Sequence, residues 1–211
     1  MRYLPALCAA LLLVGAAPAS AQLYGQMTGA TPLAVDQRQF GACVAFTRSE
    51  LEMLGQLRMS FYPNVDFGVH GGLTRVDLGT RSRTAVEMGG DIKTLVHARS
   101  ERFPADLALG AAIGTTSAED FDLLSVGPLA VASRTYPVGT NASLTPYVGA
   151  VLLFTRADLK TGNLTDVSLP LRFGLQYQPS ADFRLVAELQ EAVSDNINDD
   201  LKFVLGANFP F

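Results

Sequence analysis

The chain has 211 residues, of which 16 are Lys or Arg and 20 are Asp or Glu, so its formal net charge is −4 at pH 7. This acidic balance excludes nucleic acid as a partner, because a phosphate backbone requires a basic surface. Hydrophobic residues make up 48% of the chain, yet beyond the N-terminus no uninterrupted apolar run reaches about 18 residues. The composition therefore favours short strands over membrane-spanning helices.

Residues 1–21 have the pattern of a secretory signal peptide. Arg2 precedes an apolar run rich in leucine and alanine, and an Ala-Ser-Ala cleavage pattern ends at Ala21. The apolar run is too short to span a bilayer, which takes about 20 residues. We therefore predict export, with cleavage near Ala21. Residues 22–38 show no periodic pattern and are predicted to form an N-terminal extension.

From residue 39 onward, apolar and polar residues alternate with a period of two, which is typical of β-strands with two different faces. In TDVSLPLRFGLQY (165–177), one face carries Val, Leu, Leu, Phe, Leu and Tyr, and the other carries Asp, Ser, Pro, Arg, Gly and Gln. The pattern predicts an all-β domain over residues 39–211, with about ten antiparallel strands, or eight if the first hairpin lies outside the wall. The predicted strands are 39–47, 51–62, 65–77, 84–98, 103–115, 121–135, 144–156, 164–177, 182–192 and 200–211.

Two kinds of connection alternate between these strands. Pro63, Pro104, Pro137 and Pro179 each lie near an aromatic residue at a strand end, where proline presets the turn and cannot donate to a strand ladder. The other connections are more polar, and several of them are longer. If the chain ends in the periplasm, all four proline turns lie on that side. Short turns on one side and longer loops on the other predict an up-and-down transmembrane β-barrel.

The alternation alone leaves two arrangements open. A soluble periplasmic ligand-binding barrel would bury the apolar face, whereas a transmembrane barrel would turn that face to lipid. Charges of both signs in the middle of the polar faces favour the transmembrane barrel, because such charges can pair inside a lumen. The predicted lumen charge network consists of Arg58, Glu87, Asp91, Lys93, Arg172, Arg184 and Glu188.

Aromatic residues collect at the strand ends beside the proline turns. Tyr62, Tyr136 and Tyr177 are the predicted interfacial aromatic residues, because tyrosine favours the boundary between membrane and water. Several phenylalanines accompany them: Phe61, Phe103, Phe183, Phe209 and Phe211. The whole set predicts an aromatic girdle at one rim.

The last strand, LKFVLGANFPF, ends on phenylalanine with apolar residues at every second position before it. It resembles the C-terminal signal of bacterial outer-membrane β-barrel proteins, and the chain resembles the small outer-membrane barrel superfamily that includes OmpA-like and OmpX-like domains. The resemblance implies that Leu205, Phe209 and Phe211 are recognised by the barrel-assembly machinery, with periplasmic chaperones and outer-membrane lipid as further partners. Pro210 departs from the pattern by removing a ladder donor, which the end of a strand tolerates. No motif indicates one subfamily.

Few residues could support catalysis. His70 and His97 are both predicted to face the lumen, where a histidine commonly serves as a hydrogen-bonded polar group. Cys43 is expected to be a buried, inert thiol, because no histidine partner lies near it in sequence. No metal site, cofactor motif or phosphate-cradling loop is present, so no cofactor is expected.

The sequence favours a non-enzymatic integral outer-membrane barrel with a structural or surface-interaction role. Its lumen is expected to be filled by side chains, because small barrels have interiors about wide enough to be filled in this way. A narrow porin or small-solute transporter remains an alternative, since ten strands enclose a wider lumen than eight. An outer-membrane hydrolase that uses His70 or His97 is a further alternative. The sequence names no substrate and no external partner.

Overall fold

The structure is a computed structural model that describes residues 27–77, 82–160, 162–193 and 201–211. The predicted signal peptide lies outside these residues, as does the first part of the predicted extension. All regular secondary structure in the described ranges is β-strand. No helix within these ranges is long and apolar enough to cross a membrane.

Twelve strand segments form a single antiparallel sheet in the described part of the chain. They are β1 (Arg38–Phe46), β2 (Glu50–Tyr62), β3 (Val65–Asp77), β4 (Ser82–His97), β5 (Asp106–Ser117), β6 (Phe121–Ser133), β7 (Tyr136–Val138), β8 (Ala142–Val151), β9 (Leu153–Leu159), β10 (Gly162–Ser180), β11 (Phe183–Val193) and β12 (Lys202–Pro210).

The twelve segments occupy ten positions in the wall of a closed barrel. β8 and β9 pair in continuous register with β6 on one side and β10 on the other, so they form one strand interrupted at Leu152. The three-residue β7 continues β6 along β8 in the same register. The prediction of about ten strands is therefore confirmed, and the first hairpin, β1–β2, belongs to the wall.

The barrel closes where its first and last strands pair. β1 and β12 are antiparallel partners from Gln39 opposite Pro210 to Phe46 opposite Phe203. Beyond the last pair, the Arg38 N–H donates to Phe211 O at 3.0 Å and the Phe211 N–H donates to Arg38 O at 2.8 Å. Closure matters because a sheet edge in hydrocarbon would leave backbone donors and acceptors without partners.

All four predicted proline turns lie at the rim where β1 begins and β12 ends, which we call the turn rim. Two of them have only two residues between the strands, and one of these joins β2 to β3 through Pro63 and Asn64. Asn64 has a φ of 63°, a left-handed conformation that asparagine tolerates better than most residues. The opposite end, which carries the connections 47–49 and 118–120, is called the loop rim. These described connections are shorter than residues 98–105 at the turn rim, so the prediction of longer loops is not met by them.

The barrel has its apolar residues outside and its charges inside. On the outer face, Met53 is 63% exposed and Phe173 is 54% exposed, whereas the inward-pointing Arg58 is fully buried. In water, such a continuous apolar surface would be unfavourable by about 25 cal/mol for each Å². The alternative of a soluble barrel with a buried apolar face is therefore wrong, and the fold is that of a transmembrane β-barrel.

We expect a charge on the outer wall to destabilise the barrel according to its depth in the bilayer. Val69, on β3, and Val138, at the turn rim, are outward residues of similar exposure, 51% and 48%. Val69→Arg should lower the free energy of unfolding in lipid vesicles by about 2–4 kcal/mol, and Val138→Arg by about 0–1 kcal/mol. Urea titration of the refolded protein measures both values. Equal effects at the two positions would contradict a membrane-embedded wall.

Candidate functional site in the barrel lumen

Four charged side chains meet in the lumen on the side of the turn rim. Arg58 donates to Asp91 through Nη1–Oδ1 at 3.0 Å and Nη2–Oδ2 at 2.7 Å, and to Asp66 through Nη2–Oδ1 at 2.5 Å. Lys93 Nζ lies 3.6 Å from Asp66 Oδ2. The side chains are each at most 2% exposed. These four residues, which we call the ion quartet, comprise two cations and two carboxylates and are neutral as a group.

A glycine makes room for the bond between Arg58 and Asp91. The two residues lie on β2 and β4, about 10 Å apart across the intervening β3. Gly68, on β3, is the register partner of both. A Cβ atom at Gly68 would lie 2.5 Å from both Arg58 Nη1 and Asp91 Oδ1. The missing side chain therefore allows the two charged groups to bond above it.

The same arrangement occurs at a second place in the lumen. Gly174, on β10, is the register partner of Tyr147 on β8 and Glu188 on β11. The Tyr147 hydroxyl donates to Glu188 Oε2 at 2.5 Å, and Gln190 Nε2 donates to Glu188 Oε1 at 2.5 Å. A Cβ atom at Gly174 would collide with the Tyr147 ring. Inward glycines thus bring together partners on next-nearest strands.

A separate ion pair lies in the lumen towards the loop rim. Lys202, at the start of β12, donates to Glu52 on β2, and its Nζ is 3.7 Å from Glu50 Oε2. Lys202 and Glu52 are fully or almost fully buried. Neither belongs to the predicted charge network, although both lie on the polar faces that the alternation defines. The predicted charge network also omits Asp66 and Tyr147, although they bond to its members Arg58 and Glu188.

The lumen also contains a piece of the chain's own backbone. Residues 27–33, which we call the lumenal segment, run inside the barrel before β1 begins, and Met27, Ala30 and Leu33 are buried there. Met27 packs over Gly206 of β12, where a Cβ atom would collide with its sulfur. The sequence placed these residues in the extension 22–38 and gave no sign that they enter the barrel.

Side chains of the wall form hydrogen bonds with several polar groups of the lumenal segment. Lys93 Nζ donates to Gly29 O at 2.6 Å and to Thr28 Oγ1 at 3.0 Å, and Asn208 Nδ2 donates to Met27 O at 2.7 Å. The Ala30 N–H donates to Ser133 Oγ at 2.8 Å, and the Leu33 N–H donates to Asp66 Oδ2 at 3.3 Å. Irregular backbone at membrane depth requires such partners. The segment is therefore tied to four strands: β3, β4, β6 and β12.

A polar cavity of about 190 Å³ remains between the lumenal segment and the wall near the turn rim. Gln39, Arg58, Gln176 and Arg184 line it from the wall. Arg184 Nη1 donates to Gln39 Oε1 at 3.0 Å. This polar cavity lies between the lumenal segment and one side of the wall.

The side chains of the predicted charge network all point inward, but they form separate groups. Arg58, Asp91 and Lys93 belong to the ion quartet, and Glu188 bonds to Tyr147. The remaining three lie apart from the quartet. Thr116 Oγ1 donates to Glu87 Oε1 at 3.3 Å, Arg172 lies over Gly149 of β8, and Arg184 bonds to Gln39.

The predicted interfacial tyrosines are exposed at the turn rim. Tyr62 ends β2, while Tyr136 and Tyr177 are both register partners of Leu144 on β8. Arg134 Cζ lies 4.8 Å from the Tyr136 ring centroid, within range of a cation–π interaction.

The residues of the predicted assembly signal point outward from the closing seam. Leu205, Phe209 and Phe211 are exposed. Phe209 packs against Phe183 of β11, with ring centroids 5.3 Å apart. An assembly factor that binds this face of β12 would therefore meet apolar side chains.

The prediction that both histidines face the lumen is wrong for His97. The pairing of β4 with β5 shifts register between Leu95 and His97, which turns the His97 side chain to the outside. There it packs edge-on against Phe103, with centroids 5.1 Å apart. His70 points into the barrel over Gly89. The two histidines consequently cannot share a site, and no group of three or more His, Cys, Asp or Glu in the described ranges could hold a metal.

No protein-family model and no curated protein matches this sequence. Solved structures do resemble it. An outer-membrane channel from Pseudomonas putida F1 aligns with 11% identity and a TM-score of 0.49, covering 88% of this chain and 99% of the other. The N-terminal β-barrel domain of Pseudomonas aeruginosa OprF aligns with 11% identity and a TM-score of 0.38, covering 85% and 100%. The β-domain of the Bordetella autotransporter BrkA aligns with 11% identity and a TM-score of 0.46, covering 83% and 98%.

The first of these is an outer-membrane channel and the second is a β-barrel domain. The fold of this chain follows from its own structure, a closed antiparallel wall with an apolar outer face and a charged lumen. These features are those of a transmembrane β-barrel, so the predicted fold class is confirmed.

We expect loss of Arg58 to destabilise the barrel far more than loss of a rim arginine. Arg58→Met leaves two buried carboxylates with Lys93 alone, which should cost about 3–5 kcal/mol of unfolding free energy. Arg83→Met removes partly exposed ion pairs with Glu119 and Asp120, at 2.9 and 3.0 Å, and should cost at most about 1 kcal/mol. Urea unfolding in vesicles compares the two. A cost at Arg58 no larger than at Arg83 would contradict the role given to the ion quartet.

Proposed function

We propose that this chain is a non-enzymatic integral outer-membrane β-barrel with a closed lumen and a structural or surface-interaction role. The observation that carries the proposal is the lumenal segment, which occupies the interior together with buried ion pairs. A ten-stranded barrel is wider than the smallest barrels, whose side chains alone fill the interior. Here seven residues of backbone, from Met27 to Leu33, supply the missing volume.

Charge pairing supports a closed lumen as well. An ion crossing the barrel would have to pass the ion quartet near the turn rim and the pair of Lys202 with Glu52 nearer the loop rim. Breaking either would leave buried charges without partners, which is costly in a low-dielectric interior. The lumen is therefore suited to holding the wall together rather than to conducting.

The proposal includes a location and an orientation. The chain is exported, its signal peptide is cleaved near Ala21, and the barrel inserts with the turn rim towards the periplasm and the loop rim outside. Outer-membrane lipid contacts the apolar wall. Periplasmic chaperones and the barrel-assembly machinery are its proposed assembly partners, through the outward face of Leu205, Phe209 and Phe211. No external partner is proposed.

A narrow porin or small-solute transporter is the second candidate. The polar cavity favours it, because this space shares Thr31, Thr135 and Ser143 with a wider opening of about 490 Å³ at the turn rim. A channel would require the lumenal segment to leave the barrel. The two candidates therefore differ in what the segment does.

We expect no stable conductance from the wild-type protein in a planar lipid bilayer. A variant that lacks residues 27–33 should give discrete conductance steps, because the deletion empties the middle of the lumen. Its folding is checked beforehand by the change in gel mobility between unboiled and boiled samples. Stable steps from the wild-type barrel would overturn the closed lumen and favour the porin.

We also expect the side chain of Phe211 to matter for assembly in cells. Phe211→Ala should reduce the folded protein in the outer membrane several-fold, while refolding of the purified chain in detergent stays unchanged, because the backbone bonds to Arg38 remain. Phe103→Ala, an exposed aromatic at the same rim, serves as the control and should leave both unchanged. Equal outer-membrane levels of the two variants would count against the assembly signal.

A further inference from the structure

The polar cavity near the turn rim is lined by hydrogen-bond donors that lack partners. Gln39 Nε2, Arg58 Nε and Arg184 Nε are buried, and none has a hydrogen-bond partner within the described ranges. Gln39 and Arg58 are both fully buried. No unpartnered buried side-chain acceptor lines the same space. Since a buried donor without a partner costs about 1–3 kcal/mol, the cavity favours a ligand that only accepts hydrogen bonds.

The charge of the cavity also favours a ligand that accepts hydrogen bonds, and one that is negatively charged. Arg58 lines it together with Asp66, but both belong to the ion quartet, which is neutral as a group. Arg184 has no carboxylate within ion-pair distance among the described residues, and its contact there is the amide of Gln39. One positive charge therefore remains without a counter-ion in a largely buried space, an arrangement that a bound anion would stabilise.

The size and the entrance of the cavity limit the ligand. A cavity volume of about 190 Å³ admits a small molecule. The wider opening at the turn rim carries Arg99 beside Asp106, whose carboxylate accepts from the Arg99 N–H at 2.7 Å and from Thr31 Oγ1 at 3.1 Å. The cavity shares Thr31, Thr135 and Ser143 with this opening, so a ligand enters from the turn rim.

We propose that the polar cavity binds a small oxyanion with one negative charge, of the carboxylate or phosphate class, that enters from the turn rim. Arg184 provides the charge and its Nε donor, and Gln39 provides an amide donor. The bound anion fills the space between the wall and the lumenal segment. This site does not depend on whether the lumen is closed, because it lies on one side of the segment.

Isothermal titration of the refolded full-length mature chain in detergent tests the proposal, with sodium acetate and sodium phosphate as probes and sodium chloride as the reference at equal ionic strength. We expect acetate or phosphate to bind, and the anion that binds identifies the class. Arg184→Gln should weaken this binding at least about tenfold, because it removes a charge-assisted hydrogen bond. Arg184→Lys should retain part of the affinity. Arg156→Gln, on the outer face of β9, is the control and should bind as the wild type does.

A thermal measurement keeps the test independent of folding defects. The temperature at which the unboiled gel form is lost should rise with the concentration of the binding anion in the wild type and in Arg156→Gln, since a ligand that binds only the folded state stabilises it. It should not rise in Arg184→Gln. The proposal is overturned if neither anion binds, or if Arg184→Gln binds and responds as the wild type does.

Discussion

A charged side chain that points into this barrel has to find its partner inside it, and the architecture of the lumen follows from that constraint. Burial of an unpaired charge costs several kcal/mol, so each inward cation needs a carboxylate, a carbonyl or an amide within reach. A neighbouring strand does not always carry such a partner at the right position. An inward glycine then allows side chains two strands apart to bond across it, as Arg58 and Asp91 do above Gly68. A lumen rich in glycine is therefore a way of pairing charges, and curvature alone does not account for it.

The lumenal segment depends on the same chemistry. Closure of the barrel uses the backbone donors and acceptors of the wall in strand ladders, so a length of backbone inside the lumen must bond to side chains. Lys93 does this for Thr28 and Gly29 while it also belongs to the ion quartet. The quartet and the segment are consequently coupled, because moving the segment removes hydrogen bonds from a buried cation. This coupling is the physical reason to regard the filled lumen as a stable state.

Much of the fold and part of the site follow from the sequence. The period of two places Arg172, Arg184 and Glu188 on the inner face, and the structure finds them there. The partners of the inward charges did not follow from the sequence. Tyr147, which bonds to Glu188, carries no charge, and Asp66, which bonds to Arg58, lies near a turn. The period of two fails at His97, because one register shift after Leu95 turns this side chain from the lumen to the outer face. The sequence also did not predict that residues 27–33 enter the lumen, because irregular backbone has no periodic pattern of side chains.

The sequence by itself determined an all-β chain of about ten strands with an apolar face and a charged face, because strand period and turn chemistry are local properties. The tertiary structure decided which charges pair, that Lys202 meets Glu52 some 150 residues away, and that the chain's own N-terminal segment occupies the lumen. These features depend on which strands become neighbours when β1 meets β12. Only closure of the barrel fixes that, and no short stretch of sequence encodes it.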